Sequence, residues 1–417
     1  MKRFCFLLIA ALFLTAFYCR GEDKCIQFIV TGDMHGQLDK FARLAVVIRE
    51  YPDAVKIDLG DIFQGEPAHD LANGEVMIEA LNCLNYDFLI PGNHDFELTP
   101  EQFSCSYSRF RGTLLGQWLC GQLPVLKWKI IERNRIKCAV IGMTDHGMYK
   151  KRRFYPDYHF SPEMDAINAA LKEIARNKVD IVVLARHGGD YFHGIPAGSF
   201  LYEHPEIDLL FCSHTHREIP GKRSGKCLIV QPGAYGSSAV LVTVKKSAVH
   251  GNIITSKLLR PTAKYPDRQL AALNAKMRKN LSSRLYTARF DIRSQKDFIT
   301  AALKKLTTAT GSDTAVIDMP ELKNGKFTLN RMLKLFPYRN RLCVIKVSRK
   351  DYLAFIKERP PRSRNRYYTP VPNGKKEFTL ALNSFQLNRS KCLKKYTANF
   401  RITPLIDRDI IWGKESL

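Results

Sequence analysis

Five short stretches of this 417-residue chain combine carboxylate, amide and imidazole side chains with glycine. They are Gly32-Asp33-Met34-His35-Gly36, Gly60-Asp61-Ile62-Phe63-Gln64-Gly65, Gly92-Asn93-His94-Asp95, Arg186-His187-Gly188-Gly189 and Ser213-His214-Thr215-His216. Each fragment alone is weak, since Gly-Asp is a common turn and a lone loop histidine is usually solvated or packed. As a set, Asp33, His35, Asp61, Asn93, His187, His214 and His216 offer only oxygen and imidazole nitrogen. Such a donor set suits a pair of divalent ions (Mn, Zn, Fe or Mg) and not thiolate-bound structural zinc. The histidines at 69, 146, 159, 193 and 204 belong to no such pattern and read as ordinary core or solvated residues.

Each stretch follows a short apolar run, at residues 26–30, 55–59, 88–90, 181–184 and 209–212. These runs read as strands buried on both faces. Helical patterns lie between them at 38–49, 76–84 and 162–178, and residues 128–133 and 137–141 read as a hairpin. The alternation predicts an α/β layered sandwich, in which ligands collect at the carboxyl ends of strands. The glycines that punctuate these strand ends free the backbone for the sharp turns such a site needs.

The formal charge is +25, from 65 Lys+Arg against 40 Asp+Glu. By itself it suggests a nucleic-acid or membrane-surface binder. Its location argues otherwise: residues 1–250 are nearly balanced, whereas residues 251–417 hold 36 basic against 12 acidic side chains. A 45% hydrophobic composition excludes a disordered chain. Lys2 and Arg3 before an apolar run at 4–17 predict a cleaved signal peptide over residues 1–21, hence a periplasmic or extracellular protein with no later transmembrane helix. Some disulfides are expected in that compartment, with Cys105–Cys120 the most local candidate pair.

The motifs Asp-x-His, Gly-Asp-x-x-x-Gly, Gly-Asn-His-Asp and His-Thr-His are similar to those of the calcineurin-like metallophosphoesterases. The flanking residues, Leu59 to Pro67 and Asn85-Tyr86-Asp87-Phe88, resemble the secreted 5'-nucleotidase/UDP-sugar hydrolase/2',3'-cyclic phosphodiesterase family. The resemblance implies the metallophosphoesterase sandwich, two mixed sheets flanked by helices, with a smaller α/β C-terminal domain. It implies that Asp33, His35 and His216 hold one metal, that Asn93, His187 and His214 hold the other, and that Asp61 bridges them. A hydroxide bridging the two ions would attack phosphorus while the cations clamp the phosphoryl oxygens. His94 would stabilise the transition state or protonate the leaving oxygen, oriented by Glu97, with Asp95 as the nearer alternative. Ser213 departs from the glycine that the family usually has before His-Thr-His.

The domain expectation is a catalytic domain over 22–255, a linker helix over 256–285 and a basic, degenerate 5'-nucleotidase-type domain over 286–417. In the last, Pro337-Tyr338-Arg339-Asn340-Arg341-Leu342 resembles the family's Pro-Phe-x-Asn-x-Leu, and residues 378–385 resemble the strand carrying a base-stacking aromatic. Two recognition motifs are lost. Residues 318–323 stand where an Asn-x-Gly-Gly-Ile-Arg motif is expected, leaving Lys323 as a partial substitute, and residues 387–396 replace Gly-Gly-Asp-Gly. Phe385 is open between a stacking aromatic and a core residue. The run from Arg359 to Tyr368 is open between a nucleotide grip and a solvated loop, and no specific nucleic-acid motif accompanies it. The expected function is metal-dependent hydrolysis of anionic phosphate esters, 5'-nucleotides foremost. The alternatives are 2',3'-cyclic nucleotide or UDP-sugar diester hydrolysis and, in a different class, a polyanion-binding envelope protein on a vestigial fold.

Overall fold

The apolar runs become the middle of two facing sheets in the structure, a computed structural model describing residues 24–247, 251–287, 289–292, 294–322, 325–360 and 364–412. The expected signal segment, Lys323 and residues 361–363 of the basic run lie outside the described residues. In the first sheet Cys25–Thr31, Val55–Asp58, Phe88–Leu89, Thr113–Leu115 and Val125–Leu126 run parallel, and the hairpin Ala239–Ser247 and Gly251–Leu259 joins antiparallel beside Cys25–Thr31. The second sheet has the order Ile219–Ser224, Cys227–Gln231, Leu209–Phe211, Ile181–His187, Ile136–Thr144 and Trp128–Arg133, with parallel pairing inside and antiparallel strands at both edges. Phe28, Val30, Ile57, Phe88, Val140, Val183, Phe211 and Val230 fill the space between the sheets. Because their outer faces are buried too, the central strands are apolar at nearly every position.

Helices cover both outer faces. Leu38–Ile48 turns Leu38, Phe41, Ala42, Leu44, Ala45 and Ile48 inward at three- and four-residue spacing. Glu163–Ile174 does the same for the second sheet with Ala166, Ile167, Ala170 and Ile174. The expected boundary at 255 falls inside the strand Gly251–Leu259, where Ile254 and Leu259 continue the buried alternation. The connecting helix is Arg268–Thr287: Pro266 precedes it, and Asp267 accepts a hydrogen bond from the Leu270 N–H as an N-terminal cap.

The C-terminal part is a five-stranded sheet of order Asn365–Tyr368, Thr314–Met319, Glu377–Asn383, Arg341–Ser348 and Arg401–Ile406, packed against Gln295–Thr310 on one face and Arg349–Lys357 on the other. The expected pairing of Cys105 with Cys120 is not formed, and both are free thiols. On the helix Pro100–Tyr107 it is Ser104, one residue earlier, that faces Cys120, at 3.8 Å. Adjacent helical residues point about 100° apart, so Cys105 faces solvent while Cys120 is buried.

The two parts are joined by buried charge. Asp70 accepts from Arg339 Nε (3.0 Å) and from Arg408 (2.6 Å), and all three side chains are largely buried. Burial alone would raise the Asp70 pKa, but Arg339 and Arg408 outweigh it and hold it below the usual carboxylate range. Asp70→Ala would leave two buried guanidinium groups without their carboxylate, at a cost of about 3–5 kcal/mol. Urea denaturation at pH 7 should therefore show a clearly lowered midpoint. Because the folded-state pKa is depressed, the deficit should be fully present above about 3.9 and shrink as the pH falls from there through the lower folded-state pKa, where wild-type Asp70 takes up its proton.

Candidate functional site

All five motifs lie at the carboxyl ends of strands on one edge of the paired sheets. Five of their non-glycine residues are held in the left-handed backbone region: Asp33 (φ 53°), His35 (47°), Asp61 (53°), His214 (73°) and His216 (58°). Each such residue costs on the order of 1 kcal/mol, and strain of this kind gathers at functional sites. Hydrogen bonds between the loops maintain it. The Asp33, His35 and Gly36 N–H groups donate to the carbonyls of Gly60, Asp61 and Ile62, and Tyr235 N–H donates to the Asp33 carbonyl. Gly92 is obligatory for space, since a Cβ there would lie 2.2 Å from Asp61 Oδ1 and 2.5 Å from His187 Cε1.

The seven candidate ligands form two adjoining groups. Asp33, His35 and His216 present donor atoms within 4.8 Å of one another, and so do Asp61, His187 and His214. Asn93 joins the second through its Oδ1, 3.2 Å from His187 Nε2. Asp61 Oδ2 lies between the groups, 3.4 Å from His187 Nε2 and 4.0 Å from His35 Nε2.

Outer contacts aim these atoms. Asp33 Oδ2 accepts the His214 N–H, and Asp61 Oδ1 accepts the His94 N–H, each at 2.8 Å, so in both carboxylates the other oxygen is left for the site. Asp33 Oδ1 is buried with no hydrogen-bond partner. His35 and His187 each donate Nδ1–H to a backbone carbonyl, of Gln64 (2.8 Å) and Leu59 (2.6 Å), which presents the Nε2 lone pair inward. The Nε2 atoms of His35 and His216 then face each other at 3.1 Å. Orphaned oxygen and opposed lone pairs are what a cation would satisfy, so the residues fit divalent metal ions. Ser213, where the family usually has glycine, is buried with its Oγ 3.2 Å from the Leu59 carbonyl and 3.1 Å from His187 Nδ1, and it leaves the ring's inward nitrogen untouched.

The electrostatics favour positive charge at the same point. Burial lowers the His187 pKa, but Asp61 overrides it and pushes the ring up to about 10. His214, by contrast, is held at about 4 by burial and by His187. His94 is pulled down by burial and raised more strongly by Asp61 and Glu97, to about 9. Its Nδ1 lies 2.6 Å from Glu97 Oε1. Asp95, the nearer alternative, is engaged elsewhere: it accepts the N–H groups of Asp61, Ile62 and Gly92 and ties two ligand loops together.

Several neighbours carry no local motif. Arg339 N–H donates to Glu97 Oε2 at 2.9 Å, and Tyr338 stacks on His94 with ring centroids 5.7 Å apart. Both come from the Pro-Tyr-Arg-Asn segment, whose resemblance to a family motif was the available signal. Tyr235 flanks His35 and His216 at 5.3 and 5.1 Å, and nothing in its sequence context marks it. A cavity of about 720 Å³ opens beside Asn93 and His94 and runs between the two parts of the chain. Lys151, Lys334, Arg364 and Arg389 line it, as does Phe385, which is half exposed at the start of the helix Ser384–Arg389 and is therefore no core residue. Arg364 and Arg366 of the basic run turn inward: Arg364 donates to the carbonyls of Asp318 and Leu335, and Arg366 grips Asp318 with two hydrogen bonds.

Residues 26–218 match the calcineurin-like phosphoesterase family. UshA of Escherichia coli K12 is 29% identical over 142 residues, covering 32% of this chain and 26% of UshA. A 2',3'-cyclic-nucleotide 2'-phosphodiesterase/3'-nucleotidase of Haemophilus influenzae is 22% identical over 250 residues, 49% of this chain and 38% of that protein. The chain thus aligns with well under half the length of these relatives. Among solved structures, one assigned as a 5'-nucleotidase from Staphylococcus aureus superposes with a TM-score of 0.71 at 16% identity, covering 93% of this chain and 96% of that one. The 5'-nucleotidase of Candida albicans gives 0.61 at 16% identity, with coverages of 94% and 98%. At such identities the structural likeness is one of fold, and it extends over both parts of the chain. No helix among the described residues is long and apolar enough to cross a membrane. The chain therefore carries a calcineurin-like phosphoesterase domain, followed by a second, C-terminal domain as in the 5'-nucleotidase structures.

Proposed function

We propose that this protein is an exported metal-dependent phosphoesterase that hydrolyses small phosphate esters, nucleotides foremost. The observation that carries the reading is the position of Asp61, whose free oxygen faces histidines of both donor groups. In this reading Asp33, His35 and His216 hold one divalent ion, Asn93, His187 and His214 hold a second, and Asp61 is shared. Ions so held would supply electrophilic stabilisation of phosphoryl oxygens and an acidified water. Export rests on the basic and apolar residues at 2–17. The domains of the reading are those expected from sequence, with the catalytic part extended to Leu259.

His94 serves the leaving group. With Nδ1 committed to Glu97, its Nε2 is the atom available to a substrate in the cavity, and Glu97 supports the protonated ring. Glu97 is itself fixed by Arg339 N–H, so the C-terminal domain takes part in orienting the proton donor. The nucleotide assignment is supported by an exposed aromatic, Phe385, in a cavity whose cations outnumber its carboxylates. Hydrolysis of cyclic or sugar-linked diesters is the second reading, favoured by the absence of the glycine-rich recognition motifs at 318–323 and 387–396.

Chelation should abolish hydrolysis of AMP, UDP-glucose, 2',3'-cyclic AMP or a chromogenic monoester, whichever is cleaved, and readdition of divalent metal should restore it. Asp61→Ala and Asn93→Ala should stay inactive under the same readdition; full activity in either would remove Asp61 or Asn93 from the site. His94→Ala should lower kcat by about 10²–10⁴-fold, the usual contribution of a positioned proton donor, with bound metal unchanged by elemental analysis. Glu97→Gln should fall between that variant and wild type. Raising salt from 0.05 to about 0.5 M should increase KM severalfold, because cavity cations exposed to solvent are screened over about 10 Å or less. A flat response would remove Lys151, Lys334, Arg364 and Arg389 from substrate attraction.

A further inference from the structure

Two histidines that fit no sequence pattern, His146 and His193, meet a buried carboxylate beside the candidate site. Donor atoms of His146, Glu163 and His193 lie within 4.8 Å of one another, and this is the third such group among the described residues. His193 Nε2 is 3.6 Å from Glu163 Oε2, and the two imidazoles have centroids 3.6 Å apart with their planes tilted by 31°. His146 Nδ1 is buried with no hydrogen-bond partner. An unsatisfied buried ring nitrogen costs about 1–3 kcal/mol, so its placement beside a second imidazole and a carboxylate calls for a cation.

The charge balance agrees. Arg186 is fully buried and lies between two carboxylates, binding Glu163 through Nε and Nη2 and Asp145 through Nη2 at 3.0 Å. One guanidinium is shared between the two carboxylates; Asp145 also feels His187 and His214, and Glu163 is the carboxylate that His193 faces. The opposing cation on this side, Lys150, is exposed.

The backbone adds an independent sign. His193 and Gly194 form the tip of the hairpin joining Tyr191–Phe192 to Ile195–Pro196, with φ values of 51° and 88°. Two-residue tips with both residues left-handed favour Asn or Asp before Gly. A histidine there is locally unfavourable and directs an imidazole towards Glu163.

We propose that His146, His193 and Glu163 hold a third divalent transition-metal ion, of the zinc class, outside the dinuclear cluster. Two imidazole nitrogens and one carboxylate oxygen suit zinc over magnesium or calcium, and the two rings, whose centroids stand 3.6 Å apart, would swing apart to bring both nitrogens onto one ion. The ion would clip the hairpin at 191–196 to the helix His146–Lys151. That helix contributes Met148 and Lys151 to the cavity wall, and the hairpin is already anchored by Phe192 beneath the Arg186 guanidinium at 4.5 Å. The site's role is to fix one wall of the substrate cavity.

The test is equilibrium dialysis of the full-length protein against Zn²⁺ alone, with zinc and protein quantified. His193→Asn keeps the left-handed tip and removes the imidazole; His146→Gln removes the other. Each should bind one equivalent fewer than wild type. Asp61→Asn, which perturbs only the dinuclear cluster, should retain the equivalent that His193→Asn loses. Zinc should also slow amide exchange of residues 188–196 in wild type and not in His193→Asn. Unchanged stoichiometry in both histidine variants would overturn the proposal, whatever the dinuclear cluster binds. Loss of the equivalent without any change in amide exchange would overturn the clip.

Discussion

The arrangement depends on one constraint: lone pairs that repel one another are held at a single point where two sheets end. Asp33 Oδ1 has no partner, the Nε2 atoms of His35 and His216 oppose each other, and Asp61 faces two histidines. Left alone, these groups would separate or draw in water. They are prevented by backbone N–H groups pinning the second oxygen of each carboxylate, and by carbonyls taking the outward nitrogen of His35 and His187. Most of those backbone groups sit on loops held in left-handed conformations. The wide apolar layer between the sheets is what makes such strain sustainable, because it fixes the strand ends from which the loops depart.

Local features of this design are legible in the sequence because each is written within a few residues. An apolar run marks each of the five strands and ligand-type side chains stand at its end, beside a glycine in four of the five cases. Contacts between distant segments are not legible in the same way. Asp70 looks like an ordinary helical acid until Arg339 and Arg408, 269 and 338 positions later, converge on it. Cys105 and Cys120 are close in the chain, yet a helix turns one of them outward, so proximity in sequence misleads. His146 and His193 carry no motif at all, since one opens a helix and the other tips a hairpin. Their meeting depends on the parallel pairing of Ile136–Thr144 with Ile181–His187.

The basic C-terminal half illustrates why composition is a poor guide to function. Much of its charge is spent within the fold: Arg366 on Asp318, Arg341 on Asp157, Lys375 on Asp313, Arg339 and Arg408 on Asp70. What remains towards the catalytic domain is a smaller set lining the cavity beside His94. At the place where chemistry occurs, the domain presents a few cations opposite Glu97 and Asp318. That number suits a small phosphate ester better than a polyanion.

Arg339 ties these themes together. Its guanidinium is anchored in the catalytic domain by Asp70, Asn73 and Gln102, while its backbone N–H holds the oxygen of Glu97 that His94 does not use. Gln64, whose carbonyl aims His35, also donates its side-chain amide to the Pro337 carbonyl two residues before Arg339. Residues 337–339 thus touch the supports of a metal-ligand candidate and of the proposed proton donor at once. A displacement of that segment would loosen both, and a shift in either would be transmitted back through a buried ion pair that tolerates little movement. The second domain is for this reason built into the supports of the candidate site, and not merely laid over it.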